Sequence, residues 1–380
     1  MQNKFTNYFL VLFSALFLLS SCSDNDDNGT PIAFTTTEYQ TTYEVTIGEA
    51  IIINPEISNL DETVKFQWLK DGVEVAQTQE LNLLTETAEA FTLRFIAISG
   101  TNSIERSYEI KISDPYALYF RARTDLSSAF ISKVMQYLPA PGQFINTGLG
   151  TPESADKIVG GKTGTVSLGA WGGYVIFTFD HTIENKLDDK DFVVYGNAFN
   201  GGSEPGIVEV SFDSNGNGIA DDVWYELAGS NYTNERTIKN YEVTYTNPGE
   251  YKDVPWTDNK GSNDVVAVNS YHTQNYYPLF ASNLTELVFK GTRVFPVINE
   301  GRYVSIDALA WGYADNYDAD YSTYGGNVMD INWAVDNSGK AVKLKGIDFV
   351  RVYTATQYNG GAIGEISTEV KGAADLSMLK

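Results

Sequence analysis

Residues 213–222 read Asp-Ser-Asn-Gly-Asn-Gly-Ile-Ala-Asp-Asp, which sets oxygen side chains at loop positions 1, 3, 5 and 9 through Asp213, Asn215, Asn217 and Asp221. A hard divalent cation needs that spacing: each oxygen turns inward, Gly218 permits the sharp turn at position 6, and Ile219 offers its backbone carbonyl at position 7. The pattern predicts a structural calcium ion that stiffens a loop. Position 12 is Trp224, so the bidentate glutamate is missing and Asp222 or Glu226 has to complete the shell. The competing reading is an Asx-rich hairpin turn, which needs no metal.

Residue types that carry catalysis do not converge. The two histidines, His181 and His272, lie far apart, and the single cysteine, Cys22, sits near the start of the chain. No Gly-x-Ser-x-Gly or His-Glu-x-x-His motif occurs, and Gly160-Gly161-Lys162-Thr163-Gly164 lacks the frame and following helix of a phosphate loop. A glycosidase pair such as Glu204 and Glu365 can be drawn from 49 Asp and Glu residues, but so can many others, and the choice proves nothing. The expectation is a protein that binds and does not catalyse.

Binding is written in clusters of aromatic and amide residues. Trp171-Gly172-Gly173-Tyr174, Asn197-Ala198-Phe199-Asn200, residues 271–277 and Trp311-Gly312-Tyr313-Ala314-Asp315-Asn316-Tyr317 each join flat apolar faces to uncharged donors and acceptors. A matching ligand is large or ringed and rich in neutral polar groups: a sugar, or a corrinoid with its fringe of amides. Trp171, Phe199, Tyr271, His272, Tyr276, Trp311 and Tyr313 are the expected contacts. His272 reads more simply as a hydrogen-bonded loop residue than as a cobalt ligand. Packing in a sandwich core is the competing role for every one of these aromatics.

The elements that must carry these residues are strands. Alternating runs at 43–47, 64–69, 91–98 and 108–112 predict a small β-sandwich over residues 32–114. Phe66-Gln67-Trp68-Leu69-Lys70-Asp71-Gly72 resembles the central strand and turn of immunoglobulin-like or PKD-like modules, without the cysteines of antibody domains. Asp114-Pro115 ends the last strand. Short runs at 174–179, 192–195, 207–212, 241–245, 287–289, 303–310 and 349–353 then predict one larger, jelly-roll-like two-sheet sandwich over 115–380. Long loops at 246–265 and 313–330 are where a ligand site belongs.

Residues 1–21 carry Lys4, an apolar run over 8–19 and small residues ahead of Cys22, the pattern of a bacterial lipoprotein signal peptide with Cys22 as the lipidated residue. The acidic stretch that follows makes residues 22–31 a flexible tether and resembles the signal that sends lipoproteins of Bacteroidetes to the outer cell surface. A net charge of -23 repels nucleic acid and anionic lipid, so neither is an expected partner. A monomer is expected.

From about residue 130 to 376 the order of motifs resembles surface lipoproteins of cobalamin-uptake loci in Bacteroidetes, the BtuH-type vitamin B12-binding family. The likeness rests on residues 138–146, on Gly196-Asn197-x-Phe199-x-Gly201-x-Ser203-Glu204-Pro205-Gly206, on the Asp213 loop with Asp222-x-Trp224-Tyr225-Glu226-Leu227, on His272-Thr273-Gln274-x-Tyr276-Tyr277-Pro278-Leu279, on residues 311–316 and 347–353, and on Gly364-Glu365-Ile366-Ser367-Thr368-Glu369. The resemblance implies capture of cobalamin or a related corrinoid and transfer to an outer-membrane TonB-dependent transporter. A glycan-binding lipoprotein of a polysaccharide-utilisation system is the alternative; a glycoside-active enzyme and an adhesin or scaffold are further readings.

Overall fold

The computed structural model describes residues 31–379 except Gly48, Glu86, Arg302 and Tyr303, and the chain divides between Ile112 and Ser113 into two all-β units. The expected leader, Cys22 and nearly all of the tether lie outside the described residues. No helix among the described residues is long and apolar enough to cross a membrane.

In the first unit, Glu89–Ser99 and Asn102–Ser113 form a long hairpin in register from Glu89↔Ile112 to Ser99↔Asn102. Their period of two turns Phe91, Leu93, Phe95, Ala97, Tyr108, Ile110 and Ile112 to one buried face. Lys65–Lys70 pairs beside this hairpin and turns into Val73–Ala76 through Asp71 and Gly72, whose φ values of 46° and 87° suit a two-residue hairpin turn. Trp68 is fully buried against Phe95 at 4.8 Å, and its indole N–H donates to the Thr78 carbonyl at 2.9 Å, so the core tryptophan carries no unmet polar group. The pair Ala50–Ile53 and Leu81–Leu84 adds Ile51, Ile53 and Leu81 to the same core.

The second unit is a sandwich with a third layer added. Its central six-stranded antiparallel sheet runs Lys133–Leu138, Tyr174–Glu184, Gly346–Thr354, Gly206–Ser211, Trp224–Leu227, Ala334–Val335. One face, with Phe177, Phe179, Val208, Val210, Val350 and Val352, packs on Phe192, Val194 and Met329 of a three-stranded sheet. On the other face Ile207 and Tyr353 meet Tyr241, Tyr245 and Phe289 of a four-stranded sheet. Burial on both faces explains why Gly346–Thr354 reads as a nearly unbroken buried run, whereas the outer strand Ile238–Thr246 alternates.

The strand expected over 303–310 shrinks to Ser305–Ile306. Beyond it side chains take the backbone groups that a partner strand needs: Asn316 Oδ1 accepts from Leu309 N at 2.8 Å, and Ser230 Oγ accepts from Ala310 N at 3.1 Å.

Candidate functional site

The seven aromatic and histidine positions expected to meet ligand separate by burial. Trp171, Tyr276 and Tyr313 are core residues at 0%, 0% and 2% exposure, which corrects the expectation that they face a ligand. The two tyrosine hydroxyls brace loops from within: that of Tyr276 accepts from Asn269 N at 3.1 Å and that of Tyr313 from Asn231 N at 3.2 Å. The glycine after Trp171 is there for packing, because Gly172 has φ +89° and a Cβ would strike Phe289. Phe199, Tyr271 and Trp311 stand out at 67%, 78% and 40% exposure. His272 is half-buried, edge-on to Phe144 at 4.9 Å, and its backbone N–H is held by Asn269 Oδ1.

The Asp213 loop closes on itself. Asp213 accepts from Asn217 N at 3.1 Å and Gly218 N at 2.9 Å, Asn215 from Asn217 N at 3.0 Å, and Asn217 from Ile219 N at 2.7 Å. These are the bonds of Asx turns, and each oxygen keeps a second lone pair for an ion. Asp222, one of the two acids expected to complete the shell, has Oδ1 accepting from Ser214 while Oδ2 is enclosed without a protein partner. Asp213 N donates to the buried Asp348 at 2.9 Å and so ties the loop to the central sheet.

Three motif segments far apart in sequence converge elsewhere. Glu204, Asp315 and Glu369 bring carboxylate oxygens within 4.8 Å of one another, the one such set of three or more metal-ligating side chains among the described residues. Asp315 is fully buried and accepts from Asn197 N and Ala198 N, both at 2.8 Å, and from Glu369 N at 2.9 Å. A Cβ at Gly196 would collide with it. Burial, and then the neighbouring acids, push Glu204 and Asp315 well above the carboxylate range; burial pushes Glu369 up against its hydrogen bonds to Ser367 and other neighbours. Such an oxygen-only set either shares protons or neutralises itself with a hard cation. Sequence reasoning placed Glu204 and Glu369 in motifs but could not bring them together.

A cleft of about 300 Å³ opens between the strand Trp224–Leu227, next to the edge strand of the central sheet, and the strand Ile238–Thr246. Glu209 and Glu226 stand directly opposite on paired strands. Glu209 is tied to Arg351, whose guanidinium lies 4.9 Å from the Trp224 ring. Glu226 Oε2 accepts from Thr292 Oγ1 at 2.5 Å, and Oε1 lies 3.8 Å from Lys239 Nζ. Burial pushes Glu226 up to about 7 and brings Lys239 down to about 8. Only the spacing Trp224-x-Glu226, which puts both side chains on one face of a strand, hinted at this site in the sequence.

No protein-family model and no curated protein matches the chain. Among solved structures it is similar to a SusE-like protein at 11% identity, with 91% of this chain and 96% of the other covered and a TM-score of 0.22. It is also similar to a surface glycan-binding protein from Bacteroides ovatus, solved with a mixed-linkage heptasaccharide, at 12% identity over 65% of this chain and 48% of the other, TM-score 0.19. A carbohydrate-binding module of the β-sandwich superfamily matches at 11% identity over 92% and 100%, TM-score 0.18. Likenesses at such scores carry no argument about ligand.

Proposed function

We propose that this chain is an exported, lipid-anchored, non-catalytic binding protein of the outer cell surface whose second domain holds a ring-bearing ligand rich in neutral polar groups. The supporting observation is the exposure of Phe199, Tyr271 and Trp311 on loops above a filled core, since large flat side chains left in water offer contact area to a ligand at little conformational cost. The ordered motifs favour cobalamin or another corrinoid, delivered to a TonB-dependent transporter. A glycan is the second reading, favoured by the cleft, which admits one sugar ring but not a corrin macrocycle.

Calorimetric titration of the unlipidated mature chain with cyanocobalamin and with oligosaccharides tests both. Binding tighter than about micromolar, roughly -8 kcal/mol, by one class assigns the ligand. Trp311→Ala is expected to weaken that binding by at least about tenfold. No heat and no shift in melting temperature with either class overturns the proposal.

Calcium belongs in the Asp213 loop as a structural ion. At a hundredfold excess over Kd it is expected to raise the melting temperature by about 5 °C. Chelation reverses the shift, and Asp213→Ala abolishes it. A melting curve indifferent to calcium removes the ion from the account.

A further inference from the structure

We infer that His181 is a pH-sensitive latch: as a cation it fastens two paired segments, residues 128–131 and the strand Gly372–Asp375, to the central sheet, and loss of a proton lets them open. The device does not depend on which ligand the domain holds.

His181 lies on the strand Tyr174–Glu184, where the pairing with Gly346–Thr354 skips from Thr178 to Ile183. Its side chain is 1% exposed. Nδ1 lies 2.7 Å from Asp180 Oδ1, and Nε2 lies 3.0 Å from Asp375 Oδ2. A carboxylate only accepts, so both ring nitrogens have to carry protons and the imidazole is held as a cation. The second oxygen of each acid is bound as well: Asp180 Oδ2 accepts from Ser128 N at 2.8 Å, and Asp375 Oδ1 from Ser377 N at 2.7 Å. One ring therefore joins three pieces of chain.

The two outer pieces also hold each other. Asp375 N donates to the Ala129 carbonyl at 2.8 Å, Ile131 N donates to that of Ala373 at 3.3 Å, and Phe130 bridges to Ala374. Ala129 and Phe130 cover a small core of Val193, Tyr195, Val328, Ala374 and Leu376, which opening exposes.

The charged groups around the ring are Asp180 on its own strand and Asp375 on the last strand, with Arg121 acting on Asp180 and Arg123 reaching the Asp375 turn through Ser377. Arg121 is engaged by Asp348 at 2.8 Å and so does not stand in for the imidazolium. Burial alone would lower the pKa of His181, but its bonds to Asp375 and Asp180 outweigh burial and hold it above the ordinary 6.5. The latch is therefore complete below 6.5 and is lost as the pH rises through the raised value. Burial alone would raise both acids, but their bonds to His181 and to backbone N–H groups hold them below the carboxylate range, so their share is lost only in acid.

The test follows the unlipidated mature chain from pH 5 to 10. Nitrogen-15 NMR is expected to show His181 doubly protonated at neutral pH, its signals assigned by their loss in His181→Gln. Amide-exchange protection at Ser128, Ile131 and Asp375 is expected to fall at least about tenfold as the pH passes that titration, because opening gains about tenfold for each unit by which the latched pKa exceeds the free one. Protection at Val350 and Val352 in the central sheet stays. In His181→Gln the step is expected to vanish, and in Asp375→Asn, which keeps an oxygen for Ser377 N but removes one anion, to move to lower pH. If either variant fails to fold, titration and exchange in the unaltered protein decide. A His181 that is neutral at pH 7, or protection that does not change across its titration, overturns the latch.

Discussion

Asp315→Ala is expected to destabilise the second domain by about 2–6 kcal/mol, because the buried backbone N–H groups of Ala198 and Glu369 lose their acceptor at about 1–3 kcal/mol each, and the part-buried N–H of Asn197 adds a smaller loss. Against a total stability of about 5–15 kcal/mol, that is a large fraction and a clear shift of the unfolding midpoint. Relief of like charge opposes the loss, but the cluster already avoids full ionisation through its raised pKa values, so little repulsion remains to be relieved. Glu204→Gln provides the contrast. Glu204 accepts one long bond, from Ser367 N at 3.3 Å, and is hydrogen-bonded to the Glu369 side chain, where a glutamine amide keeps a donor, so the substitution should leave calcium-free stability unchanged or slightly improved. Urea unfolding followed by circular dichroism separates the two, and an Asp315→Ala midpoint equal to that of the unaltered protein would show that repulsion, and not the N–H bonds, governs the cluster. Repeating the series in calcium distinguishes the two oxygen-rich sites: a calcium shift lost in Asp213→Ala and kept in Glu204→Gln assigns the ion to the loop.

Periodicity made the strands legible. Tyr108 to Ile112 and Phe91 to Ile98 alternate because one face is dry, and the turn at Asp71-Gly72 is written in residues that tolerate positive φ. The third layer was not legible: a buried run such as Gly346–Thr354 states that both faces are covered but not by what. Loop residues misled for a related reason. Gly and Asn beside Trp171, Tyr276 and Tyr313 signal an irregular backbone, and irregular backbone here crosses the core and draws its hydrogen bonds from tyrosine hydroxyls. The carboxylate cluster joins Glu204, Asp315 and Glu369 from segments tens of residues or more apart, which no local spacing encodes.

Trp171→Ala separates the two roles open to that residue. As a core residue, fully buried and edge-on to Tyr241 at 4.7 Å, it should cost about 3–5 kcal/mol of stability when truncated, the usual toll of a large aromatic cavity. The neighbouring Tyr245 hydroxyl donates to the backbone carbonyl of Trp171 at 2.9 Å and to no atom of its ring, so that bond survives the substitution and the loss comes from packing. Trp171→Phe should be far milder, about 1–2 kcal/mol, since the indole Nε1 it deletes has no hydrogen-bond partner and most of the volume is retained. Ligand affinity per folded molecule should not change in either variant. A Trp171→Ala protein with an unaltered urea midpoint and lost ligand binding would return the residue to the ligand face and require the loop over 169–173 to open in solution.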